Sequence, residues 1–497
     1  MRLSIIVWAA AIFATAVPCA GLDFEPQSIL SYHAHPDRSG NYIVPAMDWE
    51  RAHSLRLDEN FHARIAGHVY AQPLYWRKPG SGPSMLIVAT GDNIVYALDA
   101  ITGGEIWKRR LGKPVALSLL LCGNIDPLGV TGTPVIDAST EALYLAAAVD
   151  RASSPRYLVF ALSLKDGSVL PGWPIDVADA LAAEQHRFIS RDQGQRGALT
   201  IADGRLYIPF GGHFGDCGQY RGFVIGISLA DRRKVRSWAT RGRGAGIWAQ
   251  GGISSDGKSL FVATGNTLDA STWSDGEAVF RLSLDLHRSN NQRDFFAASD
   301  WLALDERDAD LGGTNPLPLD VPGEGGNQAL ILALGKDGKA YLLDRNNLGG
   351  IGGSLVIETV ATRSIITAPA VYPAEDGVFV AFQGRGAHCP SPQHEFGLTT
   401  LHIRSGSPPS LTTAWCGALH GAGSPIVTTT DGRSRPIVWI LGAEGDNRLH
   451  GFRGDTGEPL FAGPDQGLQG LRHFQTLIAA ANRFYVGADG AVYAFIF

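Results

Sequence analysis

The side chains of this chain that are able to do chemistry fall in short glycine-rich stretches. GISSDGKS, from Gly252 to Ser259, satisfies the G-x-x-x-x-G-K-[ST] pattern of phosphate-cradling loops. Such a loop holds phosphate only where a strand enters it and a helix leaves it, because the backbone N–H groups and the helix N-terminus do the binding. Here the residues that follow are LFVATG, a β-rich apolar run ended by glycine, and Asp256-Gly257 is a hairpin-turn signal. The match is therefore false, and its value is the strand it exposes. Other chemistry lacks local support. The chain has no G-x-S-x-G elbow for a serine hydrolase and no C-x-x-C-H for attached haem. HAHPD at His33 and HCPSPQHEF at His388 lack a structural-zinc spacing. RGRGAG at Arg241 leads into a strand, so a dinucleotide fingerprint does not apply. His213, in GGHFGDC, is a candidate ligand contact or a satisfied turn histidine. Carboxylates are numerous enough for paired-acid glycoside hydrolysis, but nothing in the sequence selects a pair.

The elements that must position these residues are strands. LIVATGDNIVYALDAITGGEIWKRRLG, from Leu86, contains an apolar strand, a Gly-Asp turn, a second strand, a D-x-x-T-G turn and a tryptophan. Related units follow through to RFYVGADGAVYAFIF at the C-terminus, and Trp107, Trp173 and Trp238 recur at separations of 66 and 65 residues. Helical periodicity is nearly absent, apart from a possible turn of helix around Val177 to Glu184. Short strands at this period predict an all-β, eight-bladed β-propeller of four-stranded antiparallel blades. The irregular unit between Asp285 and Asn327 leaves seven blades as the alternative. The last unit stops at Phe497 without its outer strand, and NFHARIAG, from Asn60, is placed to supply one and close the ring.

Composition narrows the setting. MRLSIIVWAAAIFATAVPCAG has the charged start, apolar core and small-residue cleavage site of a secretory signal peptide. Residues 1–20 are read as that peptide, with cleavage after Ala16 or Ala20, and 21–497 as one propeller domain. No later run reaches membrane-spanning length. The protein is expected to be exported, periplasmic or secreted. The formal charge of −6 and the lack of a basic run exclude the electrostatic footprint of a nucleic-acid binder. Cys122, Cys217, Cys389 and Cys416 lie beyond the signal peptide. An even count in an exported chain suggests two disulfides, with three connectivities open.

ALDAITGGEIW, from Ala97 to Trp107, and its relatives resemble the repeat of the pyrroloquinoline quinone (PQQ) quinoprotein family. That family includes alcohol dehydrogenases, and the repeat also occurs in non-catalytic propellers such as outer-membrane assembly factors. The resemblance covers nearly the whole mature chain. It implies a cofactor site: Trp248 in RGAGIWAQGG as the floor on which the quinone stacks, and Asn266, eighteen residues on, as a Ca²⁺ ligand. It further implies Asp308 or Asp310 in DERDADLGGTN as Ca²⁺ ligand and general base. Lys336 in GKDGKAYLLDR would be the cation on the quinone oxygens. Ca²⁺ takes oxygen ligands and acts as a Lewis acid, a carboxylate takes the substrate's hydroxyl proton, and a lysine stabilises charge on the reduced cofactor. Each residue also has a structural reading: Trp248 as blade core, Asn266 as a turn residue, the aspartates as loop residues and Lys336 as a hairpin tip.

The chain departs from the family at two positions facing the same implied pocket. Where the dehydrogenases carry an adjacent, bonded cysteine pair, LLLCGNIDPLGVTGTP has only Cys122. Where they carry a glutamate Ca²⁺ ligand before an R-G-Y/F-V segment, GGHFGDCGQYRGFV has Cys217, with Asp216 beside it as a candidate third ligand. From this comparison the expected bridges are Cys122–Cys217 and Cys389–Cys416. Two function readings follow with equal weight. One is a PQQ- and calcium-dependent dehydrogenase of alcohols or sugars that passes electrons to a separate cytochrome. The other is a binding or scaffold propeller, with a protein or glycan partner, that no longer holds PQQ.

Overall fold

In the computed structural model, residues 27–78, 80, 82–182, 187–390 and 397–497 are described. The signal peptide reading of residues 1–20 lies outside them. Eight sheets, each with four antiparallel strands as its frame, form an eight-bladed propeller. The innermost strands begin at Leu74, Val135, Thr200, Ser254, Leu317, Ala370, Ile426 and Leu477. The seven-blade alternative does not hold. The irregular unit is one blade with a long exit: after the strand Phe295–Ala297 the chain makes the helix Trp301–Glu306 and a loop through Asp308 and Asp310 before the next blade opens at Leu317–Val321. The helical turn expected near Val177 is Val177–Ala180.

The repeat signature has a physical reading. In the D-x-x-T-G turn, one Asp99 carboxylate oxygen accepts from the N–H of Ile101 and the N–H and hydroxyl of Thr102 at 2.8–3.0 Å. The outer-strand Trp107 then donates its indole N–H to the Leu164 carbonyl at 3.0 Å and lies against Gly167, a turn glycine of the next blade. A Cβ on Gly167 would stand 2.5 Å from the indole. Trp415 repeats the arrangement against Gly457, where a Cβ would stand 2.6 Å away. Tryptophan and turn glycine thus couple neighbouring blades, which is why the two recur together.

GISSDGKS is a hairpin. Ser254–Ser255 pairs antiparallel with the start of Leu260–Thr264, and Asp256 caps the turn by accepting from the N–H groups of Lys258 and Ser259. The ring closes where Ala491–Ile496 accepts Arg56–Leu57 and Ala63–Arg64 as outer strands, the second from the stretch singled out in the sequence. Both expected disulfides are present, Cys122–Cys217 and Cys389–Cys416.

One feature was not expected. Residues 28–43 run across one end of the ring, bonding to the innermost strands or their flanks in six blades: Ile29 with Tyr75, Leu30 with Ile136, Arg38 with Leu199 and Ile253, Pro36 with Ser255, Ser39 with Val371, and Gly40 with Val427. Tyr32, His33 and Arg38 are fully buried there. Pro36 meets the Ser254–Ser255 end of its blade, opposite the end at which Trp248 leads in. The segment therefore lies at the far side of the ring from Trp248.

Candidate active site

At the other end, loops entering the second to fifth blades and loops within the third to fifth surround a cavity of about 290 Å³. Trp248, Asn266, Asp308, Asp310, Lys336 and Asp216 all line it, although they are scattered over the chain from 216 to 336. Trp248 sits on the approach to the fourth blade. Asn266 follows that blade's second strand, Leu260–Thr264. Asp308 and Asp310 occupy the long exit loop, and Lys336 follows the second strand of the fifth blade, Gln328–Leu334.

Asp310 is the hub. It is buried, with Oδ1 accepting from the Asn266 N–H at 2.7 Å and Oδ2 contacting Lys336 Nζ at 2.5 Å. The Lys336 N–H donates to the Asp310 carbonyl at 2.9 Å, so backbone and side chain dock together. Lys336 also reaches Asp308 Oδ1 at 2.9 Å and stands over the Trp248 ring, 5.1 Å from its centroid. Gly265 makes this packing possible: a Cβ there would lie 2.6 Å from Asp310 Oδ1 and 3.0 Å from Trp248 Nε1. Burial raises the Asp310 pKa above the usual carboxylate range, and Lys336 offsets only part of that. Burial alone would lower the Lys336 pKa, but the two aspartates raise it on balance, so the ammonium stays charged.

Two further carboxylates bear on the cavity, and the first was not singled out from the sequence. Glu277, fully buried beneath Asp310, accepts from the Leu311 N–H at 2.6 Å, while its other oxygen has no hydrogen-bond partner among the described residues. Its only sequence signal is an acid at the head of the apolar strand AVFRL. Asp216, the candidate third metal ligand, accepts from the Tyr220 hydroxyl at 2.6 Å. Burial, then the Asp216 charge, push the Tyr220 pKa far up. Cys217, beside Asp216, is bonded to Cys122, and the flanking Gly123 and Gly215 line the cavity. The bridge therefore stands at the cavity's rim. His213 lines the cavity as well, its Nε2 paired with the Arg191 carbonyl at 3.2 Å.

The site accommodates a planar ring more readily than a calcium ion. A half-buried indole with an ammonium over its face, in a cavity with apolar walls at Leu120, Ile125 and Leu128, suits a flat, electron-poor ligand. A calcium ion takes six to eight oxygens. Asp308 and Asp310 both accept from Lys336, and Asp216 accepts from Tyr220. Among the described residues no three His, Cys, Asp or Glu side chains gather as a metal cluster. As arranged, the donor set does not fit a resident calcium ion, and the ammonium of Lys336 stands between the two carboxylates that would bind it.

With fold and cavity described, the chain can be set beside known proteins. Neither a protein-family model nor a curated protein sequence matches it. Solved structures do. A quinohemoprotein alcohol dehydrogenase from Comamonas testosteroni superposes with a TM-score of 0.65 at 15% identity, covering 94% of this chain and 80% of that one. A europium-containing methanol dehydrogenase gives 0.60 at 14% identity, covering 95% and 91%. BamB from Moraxella catarrhalis gives 0.50 at 14% identity, covering 89% and 100%. The fold is that of the PQQ-type quinoprotein propellers. At these identities the likeness speaks to fold, and a reaction has to be argued from the cavity.

Proposed function

We propose that the cavity binds PQQ and that the protein is an exported quinoprotein dehydrogenase of alcohols or sugars. The observation that supports this reading is the gathering of Trp248, Lys336, Asp310 and Asn266, drawn from four successive loops, around one cavity. When bound, the quinone would supply the hydride acceptor. Trp248 offers the stacking floor. Lys336, held charged by its aspartates, offers positive potential where negative charge develops on a reduced ring. Asp310 is the better-supported base of the two aspartates. It is buried, its affinity for a proton is raised, and its orientation is fixed by the Asn266 N–H. Asp308 is exposed and serves to hold Lys336. No step is assigned to calcium, since the donor set does not fit it. With no haem-attachment motif in the chain, electrons would leave through a separate cytochrome. The two disulfides support export, and among the described residues no helix is long and apolar enough to cross a membrane.

A second reading, a propeller that binds a partner without redox chemistry, is favoured by one observation: every candidate carboxylate ligand already has a protein partner. Calorimetric titration with PQQ, in EDTA and in millimolar Ca²⁺, separates the two. Saturable binding in both buffers is expected, followed by PQQ-dependent reduction of an artificial acceptor by an alcohol or sugar. Binding that appears only with Ca²⁺ would overturn the donor-set argument but keep the quinone. Absence of binding in both would favour the scaffold.

A further inference from the structure

The cavity contains a second cation, and this one has no carboxylate partner among the described residues. Arg196 lines the wall between Gln195 and Gly197, on the approach to the inner strand Thr200–Ala202. The backbone around it is fixed. Gly194 exchanges two hydrogen bonds with Gly211, the Thr131 hydroxyl donates to the Gln195 carbonyl, and the Gln195 side-chain amide donates to the Gly197 carbonyl at 2.6 Å. The guanidinium itself lies 5.4 Å from the Phe474 ring centroid and has no ion pair or hydrogen bond among the described residues. Lys336, the other cation of the cavity, contacts two carboxylates. His213 lines the same cavity. Burial lowers its pKa, the Arg191 carbonyl and the Asp192 charge oppose that, and the Arg196 charge adds a smaller lowering, so His213 offers Arg196 no counter-charge.

A planar fork of five donors on a fixed backbone, half-buried and without a counter-charge among the described residues, is matched by a carboxylate, which accepts two parallel N–H bonds. Left unpaired, those donors are only partly hydrated and the charge carries part of the penalty of burial. We propose that Arg196, in the cavity that His213 also lines, forms a carboxylate-binding subsite. The ligand of the cavity is then an organic anion that presents its carboxylate to Arg196 and its reactive oxygens to Lys336 and Asp310. The orientation rests on the quinone reading above; the subsite itself does not. The carboxylate belongs either to the cofactor, since PQQ carries three, or to a hydroxy-acid substrate.

The test is titration of the mature protein, followed by tryptophan fluorescence and calorimetry, with three probes: PQQ, its trimethyl ester, and glycolate as the smallest hydroxy-carboxylate. Each is applied to wild type, Arg196→Gln and Arg196→Lys, with melting curves as the folding control. Loss of one charge-assisted, two-bond contact predicts about 10- to 100-fold weaker binding of an anionic probe to Arg196→Gln. The ester should bind wild type and variant alike. Arg196→Lys keeps the charge without the fork and should fall between, which preserves the test if the Gln variant fails to fold. Arg196-dependent PQQ binding with no glycolate effect assigns the carboxylate to the cofactor. Arg196-dependent glycolate binding without PQQ binding keeps the subsite and removes the quinone reading. Anionic probes that bind wild type and Arg196→Gln equally, or do not bind wild type at all, overturn the proposal.

Discussion

At Glu277 the chain buries a carboxyl group with one oxygen bonded to the Leu311 N–H and the other without a partner among the described residues. Burial, and then the neighbouring Asp310 charge, raise its pKa well above the usual range, against a smaller opposing effect of that N–H. A carboxyl whose folded pKa is raised gives stability that is whole below its unfolded pKa and is lost as pH climbs toward the folded value. Glu277→Gln, neutral at every pH, is therefore expected to melt higher than wild type at pH 8, by on the order of 1 kcal/mol, with a smaller difference at pH 5. Calorimetry at the two pH values decides it; equal melting shifts would mean that Glu277 is not held protonated. Part of the site could be read from the sequence and part could not. Trp248, Asn266 and Lys336 stand in a recognisable order, whereas Arg196 and Glu277 belong to no motif. Their meaning comes from neighbours found only after folding: Phe474 for Arg196, Asp310 for Glu277.

Among the elements, the blades were legible because their signals are local. Asp99 caps its own turn, and Trp107 needs the glycine of a turn that recurs at the same place in the next unit. The segment 28–43 was not legible, because it has no periodicity and draws its partners from six blades. His33 is the most telling residue in it: fully buried, stacked on Tyr32 at 4.3 Å, with burial holding its pKa at about 3. In the unfolded chain it would titrate near ~6.5. The unfolded state therefore takes up a proton that the native state refuses, and stability is lost as pH falls from about 6.5 toward 3. By the usual conversion of pKa differences this amounts to on the order of 4 kcal/mol at the acid end. His33→Asn, which tolerates the positive φ of 54° there, loses packing but also this proton uptake. Its urea-unfolding free energy should fall less between pH 7 and pH 4 than that of wild type. A parallel fall in both would show that His33 is protonated in the folded protein or that the segment has already detached.

At the scale of the molecule, two devices hold the ring, and they should fail differently. The Cys122–Cys217 bridge joins residues 95 apart and acts mainly by restricting the unfolded chain. Cys122→Ser with Cys217→Ser should lower stability by about 2–4 kcal/mol and loosen the cavity rim at Gly123 and Gly215, while the melting transition stays sharp. Closure between the ends of the chain is a different matter. Ala491–Ile496 pairs with Arg483–Ala488 on one edge and with Arg56–Leu57 and Ala63–Arg64 on the other, and Arg483 reaches Asp58 at 2.5 Å. Without that strand the last blade has two strands and the N-terminal strands have nothing to pair with, so two edges open at once. In a propeller each blade buries its faces against its neighbours, so an opened ring exposes apolar surface such as Phe484 and Tyr485 and gives the remaining blades freedom to unfold one by one. A chain ending at Asp489 is therefore expected to unfold in urea over a broad range with a reduced slope, whereas the double serine variant unfolds at a lower midpoint with a slope no smaller than wild type, because its unfolded chain is less restricted. A truncated chain with wild-type slope and midpoint would place the closure of the ring elsewhere, in the 28–43 segment that already ties six blades together.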